Sequence, residues 1–209
     1  MNLRTEFSMG RLREQLAEQR WDDHRYYHHS IVNQALHFFS AATFVLCYAL
    51  VWNYPWLAAL LAWGFAMTSR QAGHFFFEPK GYDHVNDASH QYKEEVKVGY
   101  NLVRKVVLMS LWALSPVPLL LDPTFFGIFS DPHTTVMGFL ENLGILWLNI
   151  GIGALLFRTA QLFFIRDVET GLVWATKIIT DPFHDMKLYA KAPVQLARTA
   201  LAWRPAPRG

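Results

Sequence analysis

Residues 31–74 read IVNQALHFFSAATFVLCYALVWNYPWLAALLAWGFAMTSRQAGH. Two apolar runs, Ile31 to Trp52 and Pro55 to Gly73, are joined by the tight turn Asn53-Tyr54-Pro55. A hydrocarbon core about 30 Å thick needs ~20 mostly apolar residues of helix, and both runs are close to that length. So short a connection makes the two helices antiparallel neighbours. The stretch is therefore a helical hairpin, with His37 and His74 towards its open end.

Two more apolar runs follow. Val106 to Leu121 is short of a full crossing and carries Pro116 and Pro118. Embedded helices tolerate such kinks where neighbours satisfy the freed carbonyls. Gly138 to Ile165 is long enough to span with tilt, with Asn149 inside it and Arg158 near its end, placed to snorkel. The expected fold is all-α: a polytopic membrane protein with about four transmembrane helices plus amphipathic cytoplasmic helices. One integral membrane domain fills residues 1–209. Within it, 1–30 form a cytoplasmic N-terminal helix and 31–165 hold the transmembrane helices with a cytoplasmic loop over 74–105. Residues 166–209 form a cytoplasmic interfacial segment and tail.

The charge map supports this layout. Of 19 lysines and arginines, all but Arg158 fall within 1–30, 70–105 and 166–209. Positive residues are retained on the cytoplasmic side during insertion, so both termini are expected there. Trp52, Trp56 and Trp203 suit the interfacial belts. A net charge of +2, without a basic run interleaved with aromatics, argues against nucleic acid as a partner. Cys47 is the one cysteine, so no internal disulfide forms. The polar, charge-mixed segment before Ile31 does not resemble a cleavable signal. Thr180-Asp181-Pro182 has the chemistry of a helix start, and the residues after it alternate in polarity like a helix lying in the interface.

Histidine is the chemically informative residue. At 1.5 Å per residue, His37 lies about 22 Å and His74 about 28 Å from the hairpin turn, so their depths nearly match. Ionisable groups at such depths are costly and tend to be functional. His29, Asn33 and His37 share one face of an unbroken helix, whereas a helix capped by Ser30 would let His28 fold back instead. Spacing alone leaves His28 and His29 open. Glu78 lies one turn beyond His74, where a carboxylate can ligate or orient. Asp83, Asp87, His90 and Glu94 would share a face if helical, and His84 and His90 are further metal candidates. Imidazole suits iron, zinc or copper, and mixed His/carboxylate sets with open positions suit non-haem Fe(2+).

These residues resemble a known family, the membrane-bound iron-dependent 2-hydroxy fatty acid dioxygenases of fatty acid α-oxidation, with fungal endoplasmic-reticulum members and bacterial relatives. The family's His-x-Asn-x-x-Asn-x-x-x-His motif, preceded by Tyr and often doubled as His-His, is matched by Tyr27-His28-His29, Asn33 and His37. Its later Gly-His-x-x-x-Glu is matched by Gly73, His74 and Glu78. Ser30 stands where the family has its first Asn, Pro79-Lys80-Gly81-Tyr82 replaces Pro-Ala-Leu, and the C-terminal part has no counterpart. The resemblance implies Fe(2+) held by His28, His37 and His74, with Asn33 and Glu78 in support. It further implies O2 and a lipid or fatty acid substrate, in a bacterial inner membrane or the endoplasmic reticulum. Arg25, Arg70 and Lys80 are candidate attractors for the substrate carboxylate. Two other expectations compete: a bis-His haem electron carrier using His37 and His74, and a non-catalytic membrane subunit or scaffold.

Overall fold

The computed structural model describes residues 9–202; the expected N-terminal start before Met9, Trp203 and the tail 204–209 lie outside them. The described chain is helical, and its strand-like pairing is one isolated bridge, Asp83 with Ala88. Among the described residues, three helices are long and apolar enough to cross a membrane: Ile31–Leu50, Val103–Leu121 and Val136–Ile165. Their outer faces leave Val107, Leu111, Leu156, Phe157 and Phe164 exposed, as lipid-facing surfaces should.

The hairpin forms as its pattern requires. Helix α1 (Met9–Tyr27) precedes α2 (Ile31–Leu50), which starts at Ser30, whose hydroxyl accepts from the Val32 N–H. The return arm runs as α3 (Pro55–Leu61), a π turn (Ala62–Met67) and α4 (Thr68–Phe76). A π turn inserts one residue, so it rotates everything beyond it by about a third of a turn. Its loosened carbonyls are satisfied locally. Thr68 donates to Gly64 O at 2.6 Å, and Ser69 to Ala66 O at 3.0 Å. This arm, expected as one regular crossing, is thus divided, and its last turns are polar with Arg70, Gln71 and His74.

After α5 (His90–Val96), α6 (Leu102–Leu114) and α7 (Pro116–Leu121) abut at Ser115. The third run therefore begins earlier than its apolar pattern suggests. Asn101 caps the helix by accepting from the Arg104 N–H, drawing Arg104 and Lys105 into the first turn. Pro116 removes the N–H that would have met the Trp112 carbonyl. Ser115 Oγ takes that carbonyl at 2.7 Å and accepts in turn from Trp147 Nε1 at 2.9 Å.

Helix α8 (Val136–Ile165) packs on α3 and on α9 (Val168–Leu188); α10 (Ala192–Ala202) and α9 both pack on α2. A Cβ at Gly144 would sit 2.7 Å from Trp56 Cα, so a side chain there would hold α8 and α3 apart. Arg158 does not snorkel. It is buried, and its guanidinium donates to Val98 O at 2.6 Å and Gly99 O at 3.1 Å, tying the linker before α6 to α8.

Two further expectations are corrected. Thr180-Asp181-Pro182 starts no helix: Pro182 lies inside α9. Nor does the helix present a polar face to water. Lys177, Asp181, Asp185 and the following Tyr189 are buried, while Ile179, Phe183 and Leu188 face outwards. The helix is polar inside because the groups it meets there are charged. Likewise Asp83, Asp87, His90 and Glu94 share no helical face, because 83–88 is a bridged turn and α5 begins only at His90.

Candidate metal centre

The site lies where the open end of the hairpin meets α1 and α9. Ser30 ends the linker from α1, and Gln34 Nε2 donates to the His28 carbonyl at 2.8 Å. Asn33 Nδ2 donates to Tyr27 O at 2.9 Å. These bonds turn the linker back over α2, so His28, and not His29, faces inwards; His29 is exposed, close to Asp83 at 3.7 Å. Asn33 thus acts as a brace. Its other role is to meet α4: a Cβ on Gly73 would overlap Asn33 Oδ1 and lie 3.2 Å from Asn33 Cγ and 3.5 Å from His37 Cδ2. Glycine at 73 is what lets α4 approach α2 closely enough for His74 to reach His37.

Three imidazoles converge. Ring centroids are 3.9 Å apart for His28 and His37, 5.0 Å for His37 and His74, and 5.6 Å for His28 and His74. One ligand nitrogen from each lies within 4.8 Å of the others. Nitrogens sharing an ion at about 2.1 Å are separated by roughly 3–4 Å, so a small contraction completes such a site.

The surroundings orient each ring. His74 Nδ1 is 2.8 Å from Glu78 Oε2, and a carboxylate only accepts, so Nδ1 carries the proton and Nε2 keeps its lone pair. Glu78 is itself held by Lys97 at 3.4 Å. Burial raises its pKa, against the pull of Lys97. His28 Nδ1 is 2.7 Å from the Tyr189 hydroxyl, which also lies 3.1 Å from His24 Nδ1. His37 Nδ1 is 3.8 Å from Asp185, a carboxylate paired with Arg70 at 2.5 Å. Burial first, then the neighbouring His37, holds the His28 imidazole well below its usual range, so it is neutral.

Neutral, buried imidazoles with nothing to bond are unusual. His28 Nε2 and both ring nitrogens of His37 are buried with no hydrogen-bond partner. Each such group costs about 1–3 kcal/mol in an otherwise satisfied interior. A cation can accept one lone pair from each ring, which relieves His28 Nε2 and one nitrogen of His37, so the donor set fits a metal ion.

The other sequence candidates lie elsewhere. His84 is exposed against the Tyr82 ring, and His90 opens α5; neither joins the three. Lys80 is exposed, and Arg25 pairs with Asp22. Arg70, by contrast, is at the centre. Residues unnoticed in the sequence also gather here: Tyr189 and Asp185, and behind them Lys177 between Asp23 and Asp181, with Arg20 on Asp181 at 3.0 Å. A signal for them existed in the four-residue spacing of Lys177, Asp181, Asp185 and Tyr189, which puts all four on one face of a helix.

A cavity of about 560 Å³ opens beside the centre, with His74 and Arg70 at its polar end and Trp63, Trp147 and Ile152 along its apolar length. No protein-family model, curated protein or solved structure matches the chain.

Proposed function

We propose that this protein is a membrane-embedded non-haem Fe(2+) oxygenase acting on a lipid, by resemblance a 2-hydroxy fatty acid, whose chain it shortens by one carbon. The observation that carries this reading is the convergence of three imidazoles, two of them with partnerless buried nitrogens, beside a long and largely apolar cavity. His28, His37 and His74 hold the ion. Bound there, ferrous iron would supply O2 activation, three protein ligands leaving positions free for small molecules.

The remaining chemistry belongs to the chain. Glu78 and Tyr189 hold two rings with their Nε2 atoms pointing inwards. Asp185 stands beside the third ring and neutralises Arg70. The apolar cavity takes an acyl chain and excludes water from the reacting end. Overall, a 2-hydroxy acid and O2 yield the acid one carbon shorter, CO2 and water. The four electrons removed from C1 and C2 are those that reduce O2, so no further reductant is required. The segregation of Lys and Arg supports a centre on the cytoplasmic side, where a lipid headgroup would meet it; the bacterial inner membrane or the endoplasmic reticulum comes from the resemblance alone.

Geometry favours this over a bis-His haem. His37 and His74 are 5.0 Å apart with His28 against both, leaving no slot for a macrocycle between them. A scaffold without an ion would leave His28 Nε2 and the whole His37 ring unsatisfied. The test is iron content of the detergent-purified protein after anaerobic preparation with iron supplied, wild type against His37→Ala. Stoichiometric iron in the first and none in the second is expected, along with turnover of 2-hydroxypalmitate to pentadecanoate. Absence of iron from both would end this reading.

A further inference from the structure

Four cationic side chains line the large cavity: Arg70, Lys97, Lys105 and Lys177. Three are already neutralised. Arg70 pairs with Asp185 at 2.5 Å, Lys97 with Glu94 at 3.0 Å, and Lys177 with Asp23 and with Asp181 at 3.2 Å. Lys105 makes no hydrogen bond or ion pair with the described residues. It shares one face of α6 with Leu108 and Met109, which line the same cavity. It stands in the first turn of the Val103–Leu121 span. The opposite face of α6, with Val103, Val107 and Leu111, is exposed, so the cavity borders the lipid phase along this helix.

We infer that Lys105 is the anchor for a lipid carboxylate, so that the cavity accepts a single-chain lipid with a free acid end in preference to a neutral or esterified one. An ammonium with no hydrogen bond or ion pair among the described residues, in a cavity whose other charged walls are paired and whose remaining lining is largely apolar, calls for an anion attached to an apolar chain. A charge-assisted hydrogen bond in such surroundings is about twice as strong as a neutral one. The inference deepens the oxygenase reading by naming the end of the lipid that is recognised, and relies on that reading only for what happens at the ion. Lys105 is a positioning residue: it sets where the acid lies relative to His74, which lines the same cavity.

The test uses the full-length protein in detergent with a chelator present, so that binding is read without chemistry. The probe is palmitic acid bearing a photoreactive diazirine, displaced by palmitic acid, methyl palmitate or phosphatidic acid. In wild type and Lys105→Arg, palmitic acid should displace the probe roughly tenfold better than its methyl ester. In Lys105→Met the two should compete equally, with labelled peptides still drawn from α6 and α8. Arg104→Gln, at the neighbouring exposed position, should retain the preference. Equal competition by acid and ester in wild type overturns the inference, as does a preference that survives in Lys105→Met. Phosphatidic acid matching palmitic acid overturns the single-chain assignment. Should Lys105→Met take up no probe at all, Lys105→Arg decides: a retained preference supports the anchor and a lost one overturns it. Equal competition by acid and ester in a wild type that binds iron refutes only the anchor, whereas an iron-free wild type whose acid preference depends on Lys105 refutes only the oxygenase.

Discussion

Replacing Gly73 by alanine tests the contact that brings the two arms of the hairpin together. In an ordinary helix the exchange is favourable by about 1 kcal/mol, because glycine loses more backbone entropy on folding. Here the new methyl would overlap Asn33 Oδ1 and lie 3.2 Å from Asn33 Cγ. Asn33 is fully buried, and its amide is tied to Tyr27 O at 2.9 Å, so it has little freedom to withdraw. Overpacking of this kind costs roughly 1–3 kcal/mol, and so deep an overlap on a tethered neighbour belongs near the upper end. The expected net effect of Gly73→Ala is thus a loss of about 2 kcal/mol, or roughly thirtyfold in the folding equilibrium. His74, one residue on, would be carried away from His37, and iron content should fall with stability.

The overlap has one partner, which makes the effect conditional. With Asn33→Ala in place, the nearest remaining atom is His37 Cδ2 at 3.5 Å, an ordinary contact. Gly73→Ala should then become neutral or stabilising by up to about 1 kcal/mol, a coupling of roughly 3 kcal/mol across the double-mutant cycle. Gly153→Ala is the control, since nothing lies within 4 Å of its Cβ position and only the helical gain applies. Equilibrium unfolding in mixed micelles, followed by tryptophan fluorescence, measures all four differences. If Gly73→Ala stabilises the wild-type background as Gly153→Ala does, or costs the same with and without Asn33, the close approach of α4 to α2 is not what assembles the centre.

Tyr189→Phe removes the hydroxyl 2.7 Å from His28 Nδ1 and should weaken iron affinity about 10–100-fold, read by competition with a chelator, while leaving the fold intact. His84→Ala and His90→Ala should retain full iron by elemental analysis; a loss from either would redraw the ligand set. Lys177→Met leaves Asp181 and Asp23 without their shared cation and should cost about 3 kcal/mol, measured by the same unfolding titration. Chelated protein should also lose stability in acid. Below pH 6.5, the ordinary histidine value, the unfolded chain protonates His28 while the folded chain, whose pKa is depressed, does not. The unfolded state then binds more protons, so stability falls as pH is lowered from about 7 to about 5, by at most ~1.4 kcal/mol per unit for this histidine. A flat profile over that range would show that His28 is not held neutral.

The hairpin was legible because two features agreed: apolar runs of crossing length and a two-residue gap before Pro55. His37 and His74 followed from it by arithmetic along the helix axis. Depth, however, says nothing of direction around the axis. The π turn at Ala62–Met67 rotates the end of the return arm, and no feature of AWGFAM announces it beyond the hydroxyls of Thr68 and Ser69 that later satisfy its carbonyls. His28 over His29 was likewise undecidable from periodicity, since a helix running through Ser30 favours the wrong one. The cap at Ser30, with the bonds from Asn33 and Gln34 back to the Tyr27 and His28 carbonyls six residues earlier, turns His28 inwards.

Helix α9 was misread for a more general reason. Amphipathic patterns are ordinarily scored on the assumption that polar residues seek water, so the alternation after Pro182 suggested a helix lying in the interface. In a membrane protein that inference fails wherever a polar interior exists, because the outer face meets lipid. The buried charges of α9 are balanced from other elements: Arg20 and Asp23 come from α1, and Arg70 from α4. None of these partners is near in sequence, so no local pattern exposes them. Two imidazoles with unsatisfied nitrogens, a third held by Glu78, and a surrounding shell of paired charges occupy one site. The charges pair with one another across elements, while the buried nitrogens of His28 and His37 have no hydrogen-bond partner among the described residues.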